Sequence, residues 1–248
     1  MNPVTAQKDK NTIKERQETY SDEEIQIQSE KTLKNLKFGR VGIIFTPTSA
    51  EMLWKGVGEM KAHLNDVEYE CIVVIKKGLL SVDHLERLDE SNLNYVQVSD
   101  VDTFAQKNIG RQLLSSGVKY MLFLDTSCYV DIDELKITEK FVKARIAPLY
   151  LEKTCAVVGE MPSQTLSEEI MDNVTTGLAK KVTFDMSIYE DRCLTKDGRI
   201  RFAESNSMAV AVKIWDMFGG FNINADYPAI EYCLRVQLLG YKIILQQI

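Results

Sequence analysis

Between residues 38 and 125 the sequence alternates short, continuous apolar runs with amphipathic stretches, and this alternation restricts the fold more than any other feature. Val41-Gly42-Ile43-Ile44-Phe45, Cys71-Ile72-Val73-Val74-Ile75, Asn94-Tyr95-Val96-Gln97-Val98 and Tyr120-Met121-Leu122-Phe123-Leu124 read as strands. The first, second and fourth are continuous apolar runs, which suit strands covered on both faces. After the first run, Leu53, Val57, Met60 and Leu64 recur at helical spacing behind a Thr48-x-x-Glu51 capping-box pattern. Before the fourth, Phe104, Ile109 and Leu113 mark one face of a helix over about residues 102–116. Strands and helices in this order form an α/β fold, a mostly parallel sheet with right-handed crossovers and helices on its faces. Ligands in such sheets sit beyond the carboxyl ends of the strands. Those ends are Thr46-Pro47-Thr48, Lys76-Lys77-Gly78, Ser99-Asp100 and Asp125-Thr126-Ser127.

The second half is less regular. Cys155 to Gly159 reads as a strand, residues 161–181 as partly helical, 182–188 as a strand and 196–199 as a turn. Met208 to Val212 is apolar. Ile230, Leu234 and Leu238 at spacing four give a last helix face, Gly240 ends it, and Tyr241 to Leu245 starts a final strand. Residues 1–37 differ in kind, with seven Lys/Arg, seven Asp/Glu and widely spaced apolar residues. Such a segment buries little surface and reads as a charged N-terminal tail or a solvated helix. Ile25, Ile27, Leu33 and Leu36 are the face through which it would meet a protein partner. The expected organisation is therefore a tail at 1–37 and one domain over 38–248.

Composition sets outer bounds. A chain of 248 residues, 45% hydrophobic, can bury a core without staples. Five scattered cysteines with no CxxC spacing argue against a disulfide scaffold and a structural zinc site. Unpaired thiols suit a reducing, cytoplasmic setting. No apolar run approaches a membrane span. A formal charge of -6 disfavours nucleic acid as a partner. Only His63 and His84 are present, so chemistry falls to carboxylates, hydroxyls or a hard metal.

Three groupings can carry chemistry, and each has a plain structural alternative. Asp125, just after a buried strand, can hold a divalent cation against a diphosphate, or simply cap a turn. Lys107-Asn108-Ile109-Gly110 lets a backbone come close to a ligand, or to the sheet. Gly219-Gly220-Phe221, followed by Glu231 and Arg235, can shape an acceptor pocket, or form a tight turn before a core helix with an i,i+4 ion pair.

In their order and spacing these groupings resemble the family 2 glycosyltransferases of the GT-A fold, over about residues 38–248. The family shows Arg-Asn-x-Gly where Lys107-Asn108-Ile109-Gly110 stands, and Asp-x-Asp where Asp125-Thr126-Ser127 stands. Gly219-Gly220-Phe221, Arg235 and Gly240-Tyr241 match in type. The resemblance implies a nucleotide-diphospho-sugar donor bound by Thr46, Pro47, Thr48, Lys76, Lys107, Asn108, Asp125, Gly219, Gly220 and Arg235. It also implies a divalent cation, Mn or Mg, on Asp125 and Ser127, and an acceptor hydroxyl that receives the sugar.

The departures fall on the chemistry. Ser127 replaces the second acid of the metal motif, and a hydroxyl binds a hard cation poorly. Lys76-Lys77-Gly78 replaces acids after the second strand. Pro228-Ala229 occupies the family's Glu-Asp pair, whose Asp is the expected general base. Asp226 and Glu231 flank that position and are the catalytic candidates, while Asp131 and Asp133 are candidates for a displaced metal ligand. Three readings follow: a working transferase, a GT-A pseudoenzyme retained for binding or assembly with an active partner, and a relative that uses the fold for nucleotidyl transfer or simple ligand binding.

Overall fold

The structure, a computed structural model, describes residues 36–91, 93–160 and 202–246, together with Leu33. The expectations for 161–181, 182–188 and 196–199, and for nearly all of the 1–37 tail, lie outside these residues. The fold that follows belongs to the unit Lys37–Ile248.

The first half alternates as the apolar runs require. Strand β1 (Val41–Thr46) leads to helix α1 (Ala50–His63), strand β2 (Tyr69–Lys76), helix α2 (Val82–Glu90), strand β3 (Asn94–Val98), helix α3 (Thr103–Leu113) and strand β4 (Tyr120–Asp125). After two short 3-10 turns come helix α4 (Glu139–Leu151) and strand β5 (Cys155–Gly159). The chain resumes with strand β6 (Ala209–Ala211), helix α5 (Val212–Phe218), helix α6 (Pro228–Leu238) and strand β7 (Lys242–Leu245).

Among the described residues the sheet has seven strands in the order β3-β2-β1-β4-β6-β5-β7. β1 is parallel to β2 and β4, and β2 to β3. β6 is antiparallel to both of its neighbours, and β5 and β7 are parallel again. The sheet is thus mixed and mostly parallel, with helices on both faces, as the strand–helix alternation predicts. β1 is buried along its whole length, whereas edge strand β3 is mostly not.

Glycines set how closely the helices lie. A Cβ on Gly110 would stand 2.5 Å from Ile44, so α3 rests directly on β1. A Cβ on Gly56 would stand 2.4 Å from the Phe45 ring, which places α1 on β1 as well. Ile44 and Phe45 are consecutive in a strand and point to opposite faces, so α1 and α3 sandwich the sheet between them. Gly110 therefore serves helix-on-sheet packing rather than close approach to a ligand.

Several local expectations are corrected. The cap of α1 is Ser49, whose hydroxyl accepts from the Met52 amide, so the Thr48/Glu51 capping box is not used. Helix α3 is capped by Asp102, which accepts from Ala105, and stops at Leu113. Helices α2 and α4 carry no expectation from the sequence. α2 is short with one buried residue, Leu88, and α4 buries Lys143 and Arg145 among its apolar residues, which blurs its apolar stripe.

Candidate functional site

The chain leaves β1 toward β2 on one side and leaves β4 toward β5 on the other. Their carboxyl ends form the topological switch point where α/β sheets hold ligands. Thr46 pairs with Asp125 across it. The Thr46 hydroxyl donates to the Leu124 carbonyl at 3.4 Å. The Thr48 amide donates to the Thr126 hydroxyl at 2.8 Å, and the two threonine hydroxyls lie 2.9 Å apart. Pro47 is buried and Thr48 exposed. Thr46, Pro47, Thr48, Asp125 and Ser127 therefore meet at one edge.

Asp125 is committed within the protein. It is 3% exposed and Lys107 is 0% exposed. The Lys107 ammonium donates to Asp125 Oδ2 at 3.0 Å and to the Ser205 hydroxyl at 2.9 Å. Asp125 Oδ1 accepts from the Ser127 amide at 3.0 Å and closes the turn 126–128. Burial pulls the Lys107 ammonium below its usual range, and the Asp125 carboxylate opposes that pull.

A second pair stands beside it. Arg145, fully buried on α4, donates to Glu160 at 2.5 Å, to the Ser207 hydroxyl at 3.2 Å and to the Gln246 carbonyl at 3.2 Å. Ser207 also donates to Glu160 at 2.9 Å. Burial lowers the Arg145 pKa, and Glu160 opposes it. The segment that enters β6 extends the pairing with β4, the amides of Phe123 and Asp125 donating to the carbonyls of Met208 and Asn206. Each of its serines takes a hydrogen bond from one buried cation, Ser205 from Lys107 and Ser207 from Arg145. Sequence reading missed Arg145, Glu160, Ser205 and Ser207. The one available signal was a pair of basic residues, Lys143 and Arg145, inside an apolar helix.

The glycine turn is clasped from two sides. Asn108 donates to the Phe221 carbonyl at 2.9 Å and accepts from the Phe221 amide at 3.0 Å. Arg235 donates to the carbonyls of Phe218 and Gly220. Gly219 and Gly220 have φ of 82° and 75°, in the region that favours glycine, and a Cβ on Gly220 would stand 2.7 Å from Asn108 Oδ1. Arg111 adds a two-pronged ion pair to Asp216, at 2.9 and 2.6 Å. Asn108 and Arg235 thus spend their polar atoms on the backbone of the turn rather than presenting them to a ligand.

The catalytic candidates separate. Glu231 is held by Arg235 through both carboxylate oxygens, at 2.8 and 2.6 Å. Asp226 is exposed on the loop before α6. Asp131 caps its own turn by accepting from Asp133, and both are exposed. Lys76 pairs with Asp100 at 3.3 Å on the surface.

A divalent cation needs carboxylate oxygens with free lone pairs. Each Asp125 oxygen already accepts a hydrogen bond, one of them from a buried ammonium, Ser127 is a hydroxyl, and among the described residues no three His, Cys, Asp or Glu side chains cluster to hold a metal ion. These residues do not fit the cation that the resemblance implies.

Solved structures supply the comparison. A mannosyltransferase from Pyrobaculum calidifontis, in complex with GDP-Man and Mn2+, superposes with a TM-score of 0.56 at 12% identity. The match covers 86% of this chain and 56% of that one, so this chain spans little more than half its length. Glucosyl-3-phosphoglycerate synthase from Mycobacterium tuberculosis, in complex with Mn2+, UDP-Glc and phosphoglyceric acid, gives 0.51 at 12% identity over 87% of this chain and 72% of that one. No protein-family model matches this sequence, and no curated protein does. The mixed, mostly parallel seven-strand sheet flanked by helices matches the GT-A fold of these structures. Among the described residues no helix is long and apolar enough to cross a membrane.

Proposed function

We propose that this chain is a GT-A domain that binds a nucleoside diphosphate, or its sugar, at the β1/β4 switch point and serves as a binding module rather than an inverting transferase. The observation that carries this reading is the neutralisation of both acids nearest the expected chemistry. Asp125 is held by Lys107 and Glu231 by Arg235. A carboxylate already committed to a cation is a poor ligand for a metal and a poor acceptor for an acceptor's proton. The reading also draws on the convergence of Thr46, Pro47 and Thr48 with the end of β4, since open α/β sheets commonly bind ligands at such strand ends. The mannosyltransferase and the synthase were solved with nucleotide sugars, and the shared fold supports the same ligand class here.

A second reading, a working transferase, draws on Asp226, which is exposed and next to the Ala229 position that lacks the base. A retaining reaction would relax the need for a base altogether. Nucleotidyl transfer has no observation in its favour. The residues 1–37 remain the proposed site of a protein partner, and a reducing cytoplasm the proposed setting.

The test is a thermal-shift series with nucleoside diphosphates and their sugars, followed by a turnover assay. Ligand at a hundred times its dissociation constant stabilises the folded state by about 2.7 kcal/mol. For a domain of this size that is about 5–10 °C in melting temperature. A shift without sugar transfer or donor hydrolysis supports the binding module. Turnover that falls in Asp226→Asn establishes the transferase in its place, and no shift with any nucleotide refutes both.

A further inference from the structure

We infer that Lys107 is the resident cation of this site, so that the domain binds its nucleoside diphosphate without any divalent ion. The inference rests on the nucleotide-binding reading for its ligand, but its observation is separate. The Lys107 ammonium lies 3.0 Å from Asp125 Oδ2, and both side chains are buried. A lysine on a surface can swing aside for a metal, whereas this one is walled in. Its ammonium sits 5.4 Å from the Phe104 ring and 6.0 Å from the Phe123 ring. Its second hydrogen-bond partner, Ser205, belongs to the segment that extends β6 along β4. A divalent ion brought to Asp125 would meet a carboxylate already hydrogen-bonded at each oxygen and a fixed positive charge beside it.

Charge accounting points the same way. A free carboxylate at the end of β4 would repel a diphosphate, and a divalent ion is one means of reversing that sign. Here Asp125 is neutralised from the interior, so the repulsion is already gone. The exposed Thr48, the Ser127 hydroxyl and the exposed Lys76 and Lys77 are left to face an anion at the rim. Among the described residues Lys76 pairs with a solvent-exposed Asp100, a contact an incoming diphosphate can displace.

The experiment uses the full chain and two probes. Mn2+ alone is titrated into the protein and followed by electron paramagnetic resonance, which counts free ion. UDP and GDP are titrated calorimetrically in Mn2+ and again in EDTA. The expected results are no saturable Mn2+ site in the unmodified protein and nucleotide dissociation constants within about threefold in the two buffers. A saturable Mn2+ site that Asp125→Asn removes overturns the inference, as does a loss of about tenfold or more in nucleotide affinity in EDTA. Failure of either nucleotide to bind in both buffers counts against the nucleotide reading instead, and the Mn2+ titration then decides the role of Lys107 alone. Lys107→Ala removes the internal charge, and its melting temperature should rise with added Mn2+ while that of the unmodified protein stays put. A folded Lys107→Ala protein with no response to Mn2+ also overturns the inference. If that variant does not fold, the titrations on the unmodified protein stand as the test.

Discussion

Replacing Asn108 by alanine tests whether the glycine turn is held by the side chain that the resemblance assigns to the ligand. Both polar atoms of Asn108 are spent on the Phe221 backbone, one accepting and one donating. Each such bond contributes about 0.5–1.5 kcal/mol net, and the backbone groups left behind are partly buried, which adds to the loss. The expected cost is therefore about 2–3 kcal/mol. With a urea slope of about 2–3 kcal/mol per molar, the unfolding midpoint should fall by about 1 M. Trp215 packs edge-on against Phe221 at 4.8 Å, so tryptophan fluorescence follows the turn directly. Asn108→Asp keeps an acceptor for the Phe221 amide but sets a carboxylate against the Phe221 carbonyl, so it should cost at least as much as alanine. A loss below about 0.5 kcal/mol in Asn108→Ala would refute the clasp, since that is the range of uneventful surface substitutions.

The two glycines of the turn should separate. Gly219→Ala meets nothing within 4 Å and should cost only the left-handed backbone penalty of about 1–2 kcal/mol. Gly220→Ala adds a clash with Trp215 and Asn108 and should cost clearly more in the same urea assay. Breaking the Lys107–Asp125 pair by Lys107→Met should cost about 3–5 kcal/mol, because a buried carboxylate is left without its counter-charge. Arg145→Met should cost less, since the Glu160 side chain is 46% exposed and can turn to water. Equal losses in the two variants would contradict that account. Burial pushes the thiols of Cys71, Cys155 and Cys233 up to about 12. Unfolded thiols ionise near ~8.5, so this stabilisation is whole below that pH and is lost as pH rises toward 12, by about 1.4 kcal/mol per thiol per pH unit. Urea midpoints at pH 8 and pH 10 measure the loss, and Cys233→Ala should make it shallower.

What the sequence made legible was the frame. Val41 to Phe45, Cys71 to Ile75 and Tyr120 to Leu124 could be read as strands because parallel strands are apolar on both faces, and β3 and β5 end where the composition changes. Helix α4 was not legible, because Lys143 and Arg145 interrupt its apolar face: Lys143 pairs with Glu139 one turn back, and the partners of Arg145, Glu160 and Ser207, lie outside the helix. The same limit applies to the site. Asp125, Lys107, Asn108 and Arg235 could each be singled out by type and spacing. Whether a polar side chain faces a ligand or another residue depends on contacts far along the chain, and Lys107 faces a serine 98 residues away. Gly110 shows the reverse case, where the plain packing reading sufficed.

Helix α3 offers Lys107, Asn108 and Arg111 to partners 98, 113 and 105 residues further on. A ribosome adds about 5–20 residues per second. Roughly 5–20 s of translation therefore separate the emergence of Lys107 from that of Ser205, Asp216 and Phe221. During that interval β4 lacks β6 along its flank and stands as an open sheet edge, the kind of surface on which strands of other chains can pair. The nascent first half thus depends on its second half for hydrogen-bond partners and for closure against aggregation alike, and a chain stopped before β6 should be recovered mainly as aggregate.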